Sequence, residues 1–173
     1  MGIHWKNLGI LAGMLVLAGA LLSNGLAAGW ESAFPPLKQD AWEEECGACH
    51  LAFTPGMLPA RSWKKMMSNL KNHFGDDAAI GPTMTREITE FLVANAADNP
   101  GATEVMKRIA RSIPPTQTPL RITETPLFHY YHDEIPESIW QRESIGLRSN
   151  CAACHQRAAE GRYLQREIEI PKQ

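Results

Sequence analysis

No surplus of positive charge runs through this 173-residue chain: 17 Lys and Arg face 19 Asp and Glu, a formal net charge of −2. Nucleic acids and anionic lipid surfaces are held by clustered basic side chains, so neither is an expected partner. Sustained apolar and polar alternation is also missing, and the expected fold class is all-α with little or no β-sheet. Nor does any apolar run reach the ~20 residues of a spanning helix. The longest, from Leu8 to Leu22, follows Lys6 and precedes the small residues around Ala27 and Ala28, the layout of a cleaved export signal. Residues 1–28 are therefore expected to leave. The remaining 145 residues, 29–173, carry 16 basic against 19 acidic side chains once Lys6 is gone. That length suits one domain with a modest core, placed in the periplasm with no stable membrane insertion.

Spare cysteine is lacking as well. All four cysteines fall in two copies of one pattern, Cys46-Gly47-Ala48-Cys49-His50 and Cys151-Ala152-Ala153-Cys154-His155. Two disulfides would be the ordinary expectation for an exported chain, but they explain neither the repetition nor the histidine after each pair. A structural zinc site of Cys46, Cys49, Cys151 and Cys154 leaves both histidines unexplained too. A redox-active dithiol belongs near a strand-helix-strand pattern, and the flanking sequence reads as helical. C-x-x-C-H is the attachment signature of c-type haem. Residues i, i+3 and i+4 of a helix share a face, so two thiols and an imidazole meet one planar ligand. Two covalent haem c groups follow, with His50 and His155 each binding iron from one side.

The opposite side of each iron needs a second ligand, and His73, His129 and His132 remain for two positions. Trp63, Met66, Met67 and Leu70 recur at helical spacing, and His73 continues that face of a helix expected over 59–74, ending before Gly75. His129 and His132 stand three residues apart in "TPLFHYYHDEIP", where Thr125 suits a helix cap and Pro126 its first turn. One of the two is expected to be the other distal ligand. Met57, Met66, Met67, Met84 and Met106 are the rival donors, and they read as core filler.

Further helices are expected from Asp40 to His50, over 85–97 with Ile88, Phe91 and Leu92 inward, and after Asn99-Pro100 with Met106, Ile109 and Ile113 inward. "SIPPTQTPLRITETP" is a proline-rich loop expected to wrap over the haems. A second haem helix is expected over 149–160, and "EIEIP" is a short strand or extended tail.

At this point the chain resembles a known family, the small periplasmic dihaem cytochromes c. The likeness is carried by "SWKKMMSNLKNHFGDDA", "ITEFLVANAAD", "RITETP" with "HDEIP" after it, and the ending from "CAACHQRAAEG" to "EIEIP". The resemblance implies two haems, each held by two histidines, with His73 and His132 as distal ligands and His129 as the alternative to His132. It also implies an electron carrier between a membrane cytochrome b and a small soluble monohaem cytochrome. Irons closed on both sides change charge but do not readily activate a small molecule, and histidine ligation keeps their potentials low. With about four propionate charges the holoprotein reaches roughly −7, favouring a partner with a basic docking patch. The rival class is a haem enzyme of peroxidase or reductase type, which needs one open iron.

Overall fold

The computed structural model describes residues 34–172; the expected signal, residues 1–28, lies outside them. Among the described residues there are six α-helices joined by short 3-10 turns, and no strand. The helices are α1 (Asp40–Gly47), α2 (Ala60–Met67), α3 (Pro82–Ala94), α4 (Glu104–Ser112), α5 (Pro126–His132) and α6 (Glu137–Trp140). None is long and apolar enough to cross a membrane.

Five of the six helices begin with a side chain that satisfies an orphan backbone donor or with a proline that lacks one. Gln39 caps α1 by accepting from Trp42 N. Asp98 reaches across the fold to accept from Ala60 N at 2.8 Å, sealing the start of α2. Pro82 opens α3, while Thr103 and Thr125 cap α4 and α5.

α2 and α3 form the main helix pair, which buries Trp63 and Met67 against Ile88 and Leu92, with Trp42 and Leu58 in the same cluster. The Trp63 indole donates to Pro55 O at 2.7 Å, so its one polar atom is satisfied inside the core. A second cluster gathers Phe34, Met57, Ala97, Met106, Ile109 and Ile113. Neighbours in sequence divide between the two: Met57 and Ala97 face one cluster, Leu58 and Ala96 the other, and Ala97 N donates to Leu58 O at 2.9 Å between them. Ile122 packs on both. The methionines are packing residues as expected: Met57, Met67 and Met106 are buried, and Met66 and Met84 pack against the first cluster.

Three expected helices are shorter than their sequence pattern. α1 stops at Gly47, short of His50. α2 stops at Met67, because Asn69 leaves helical geometry (φ −146°, ψ 53°) and only a single turn, Leu70–Asn72, follows. His73 therefore lies in a loop and not on a helix face. The second motif forms a turn at Cys151–Ala153 and another at Ala158–Glu160, not one helix. The tail competes for its backbone: Glu169 N donates to Cys154 O at 2.9 Å, and His155 and Ile168 form an isolated bridge. "EIEIP" is thus an extended tail with one bridge, not a strand. Gly161 ends the second turn at φ 69° with Thr54 and Phe34 beside it.

Candidate functional site

The first motif leaves the end of α1 with Cys46 half-buried and Cys49 and His50 exposed. His50 Nδ1 donates to Leu51 O at 2.7 Å, since a carbonyl only accepts, which leaves Nε2 with its lone pair. The loop after α2 brings His73 opposite. The two rings lie 6.0 Å apart, centre to centre, and within 20° of parallel. The backbone of His73 is fixed by a two-bond exchange with Asp76, His73 N to Asp76 O at 2.8 Å and Asp76 N to His73 O at 3.2 Å. Phe53 lies against the other side of this site, 5.1 Å from His50.

The second motif pairs with α5. His132 and His155 have ring centres 6.1 Å apart, inclined at 67°. His132 Nδ1 donates to Phe128 O at 2.8 Å, again freeing Nε2, and Phe128 stacks on its ring at 4.1 Å and 15°. Trp140 of α6 stands 6.1 Å from His132, and Tyr163 stands 5.2 Å from His155. The Nδ1 of His155 is buried without a hydrogen-bond partner, unlike those of His50 and His132. His129, three residues before His132, is exposed, with its ring 6.0 Å from that of Phe128. The structure thus brings His132, not His129, to the second motif.

Both spacings fit one metal ion between two imidazoles. With metal–nitrogen bonds of about 2 Å and each ring centre about 1 Å beyond its nitrogen, centres fall roughly 6 Å apart. The electrostatics agree, because ligation needs neutral rings. Burial and then the neighbouring His50 hold His73 below the usual histidine range. Burial does the same for His132, against a raising bond from Phe128, and for His155, where His132 adds to the effect.

Cys46, Cys151 and Cys154 are shifted in the sense opposite to a redox-active pair, whose reactivity depends on a depressed pKa. Burial, helped by Glu45, pushes Cys46 up to about 11. Burial raises Cys151 and Cys154 too, Arg142 opposing it at Cys154. All four are free of disulfides, and no cluster of three or more metal-binding side chains occurs among the described residues. Neither the zinc nor the disulfide alternative is assembled.

The connection of the sites is local in sequence. His73 follows His50 by 23 residues, and His132 precedes His155 by 23. The proline-rich loop reaches the first site, where Leu120 lines a groove with His73 and Phe74, and Arg121 lies on the Phe74 ring. Arg61 of α2 anchors that loop, donating to Gln117 O at 2.7 Å and Pro114 O at 3.2 Å. Phe53, Phe128, Trp140 and Tyr163 were not singled out in the sequence. Phe128 had a signal, since it precedes His132 by one helical turn.

The family described as dihaem cytochrome c matches residues 42–163. Among solved structures, a dihaem cytochrome c from Rhodobacter sphaeroides is 42% identical, with 73% of this chain and 98% of that chain covered at a TM-score of 0.66. A dihaem cytochrome c from Shewanella baltica OS155 is 33% identical, with 80% and 96% covered at 0.64. No curated protein matches.

Proposed function

Because the chain belongs to the dihaem cytochrome c family and is a haem-based electron carrier with two covalently bound c-type haems, we propose that each haem is held between two histidines. His50 and His73 hold the first, with Cys46 and Cys49 as its covalent anchors. His132 and His155 hold the second, anchored by Cys151 and Cys154. The supporting observation is the pair of imidazole separations, 6.0 and 6.1 Å, formed by histidines from separate segments of chain.

When bound, the haems supply a reversible one-electron change at iron. The chain's part is to hold four imidazoles facing in pairs. Hydrogen bonds from Nδ1 to Leu51 O and Phe128 O fix the orientation of His50 and His132. Second-shell bonds of this kind also make an imidazole a stronger donor. Nitrogen on both sides, with every described methionine committed to packing, favours low reduction potentials. The irons then offer no open position, which sets this reading against a peroxidase or reductase. We place the carrier in the periplasm after removal of residues 1–28, between a membrane cytochrome b and a small soluble monohaem cytochrome.

Electron paramagnetic resonance of the oxidised protein tests the ligation. The near-parallel rings at 20° and the steeply inclined rings at 67° give two distinguishable low-spin signals, one rhombic and one strongly anisotropic. A high-spin signal, or stoichiometric carbon monoxide uptake on mixing with the reduced protein, overturns the closed-iron reading.

A further inference from the structure

We propose that Arg121 and Phe74 act as a positioning clamp on His73, fixing the plane of its imidazole and raising the reduction potential of the first haem relative to its uncharged-clamp state. The inference rests on His73 being an iron ligand.

Three independent observations meet at this point. Phe74 is the only non-glycine residue at positive φ among the described residues, at 57°. A β-carbon disfavours that conformation, so the surroundings must hold it. What the conformation achieves is visible: the Phe74 ring stands 4.8 Å from the His73 ring at 62°, an edge-to-face contact between adjacent residues. The opposite support comes from far along the chain. The Arg121 guanidinium lies over the Phe74 ring at 3.9 Å from its centre, close enough for a cation–π attraction.

The backbone on either side of Phe74 is already pinned. His73 and Asp76 exchange two hydrogen bonds, and Ala78 N donates to Leu70 O at 2.9 Å. Torsion about the His73 side chain is the freedom left, and Phe74 restricts it. Arg121 in turn restricts Phe74.

Charge supplies the second half of the effect. Only the Phe74 ring separates the Arg121 guanidinium from the His73 ring, while Asp76 is bonded to the His73 backbone. Glu124 stands 3.4 Å from Arg121 and offsets part of its field, although both side chains are about half exposed. Iron gains a positive charge on oxidation, so a nearby cation favours the reduced state. The second site is built otherwise. Phe128 lies flat on His132 at 4.1 Å, and Arg148, paired with Glu137, lies 5.0 Å from the centre of the Trp140 ring, itself 6.1 Å from His132, a looser chain of contacts than the 3.9 and 4.8 Å at the first site.

The test uses the holoprotein, with each haem followed by spectropotentiometry and by its own paramagnetic signal. Arg121→Gln lowers the potential of one haem only, by about a three- to tenfold change in its oxidised-to-reduced ratio at fixed poise, tenfold being 59 mV for a one-electron couple. Arg121→Lys restores most of that potential, because the charge returns. It still alters the rhombic signal, because the flat stacking partner of Phe74 does not return. Phe74→Gly accepts the backbone conformation and alters the same signal. The clamp is overturned if Arg121→Gln leaves both potentials in place or moves both equally while two bis-imidazole signals persist. If His73→Met changes neither haem's signal, the ligand assignment itself is wrong and the clamp falls with it.

Discussion

Thr125→Val probes the least self-sufficient element of the fold. α5 has seven residues, none of them fully buried, and a helix that short has no stability of its own. Thr125 is 2% exposed. Its Oγ1 accepts from Phe128 N at 3.4 Å and donates to Ile122 O at 2.8 Å. Valine keeps the volume and removes both bonds. A helix cap contributes about 0.5–2 kcal/mol, and the long cap distance here argues for the lower half. The hydroxyl bond to Ile122 O contributes about 1 kcal/mol. Local opening of α5 thus becomes easier by roughly 1.5–2 kcal/mol, which multiplies the open population about tenfold to thirtyfold. Native-state hydrogen exchange reads this directly at the amides of His129 and Asp133, whose acceptors are Thr125 O and His129 O. Those amides exchange faster by that factor, the core of α3 keeps its protection, and Thr125→Ser restores the original rates. Unchanged exchange in α5, or equal acceleration everywhere, refutes the argument that this hydroxyl holds the His132 helix in place.

Other outcomes are equally specific. His73→Met raises the potential of one haem and leaves the other nearly unchanged in potentiometry, because His73 faces His50 alone; two shifted potentials would contradict the pairing. His73, His132 and His155 are all held below the ordinary histidine pKa. The unfolded chain therefore binds more protons in mild acid, and stability present above about pH 6.5 is lost as pH falls through that value towards the folded pKa values. Urea midpoints of the holoprotein measured from pH 7 to 5 should decline, and a flat profile would oppose buried neutral rings. Gly161→Ala places a β-carbon at φ 69°, costing about 1–2 kcal/mol, visible as a lower urea midpoint with both haem spectra retained.

The anchors were legible because their chemistry demands adjacency: two thiols and a proximal imidazole occupy five consecutive residues. The helical class and the inward faces of α3 and α4 were legible from periodicity, with Ile88, Leu92, Met106 and Ile109 buried as expected. His73 was found through a face it does not occupy. The apolar spacing of Trp63, Met67 and Leu70 persists past Met67, but Asn69 breaks the helix, and sequence periodicity cannot register a backbone departure that leaves the side-chain pattern intact. His129 and His132 share α5, so local sequence separates them poorly. Only the approach of the second motif distinguishes them, by half-burying His132 and leaving His129 exposed. The missing helix at the second motif has a similar cause, since the competitor for Cys154 O is Glu169, fifteen residues on.

On the proposed ligation, equal spans of 23 residues, running forward from His50 and backward from His155, make each iron the fastener of a loop of the same size. The length-dependent part of the closure cost, about 3 kcal/mol by (3/2)RT ln n, is then identical for both. Chain entropy cannot make one fastener weaker than the other. Any difference in how readily they come undone traces to the groups packed around each pair of rings and not to loop length. Their order differs during synthesis, however: the first motif emerges ahead of its counterpart, whereas the second arrives with its counterpart already waiting.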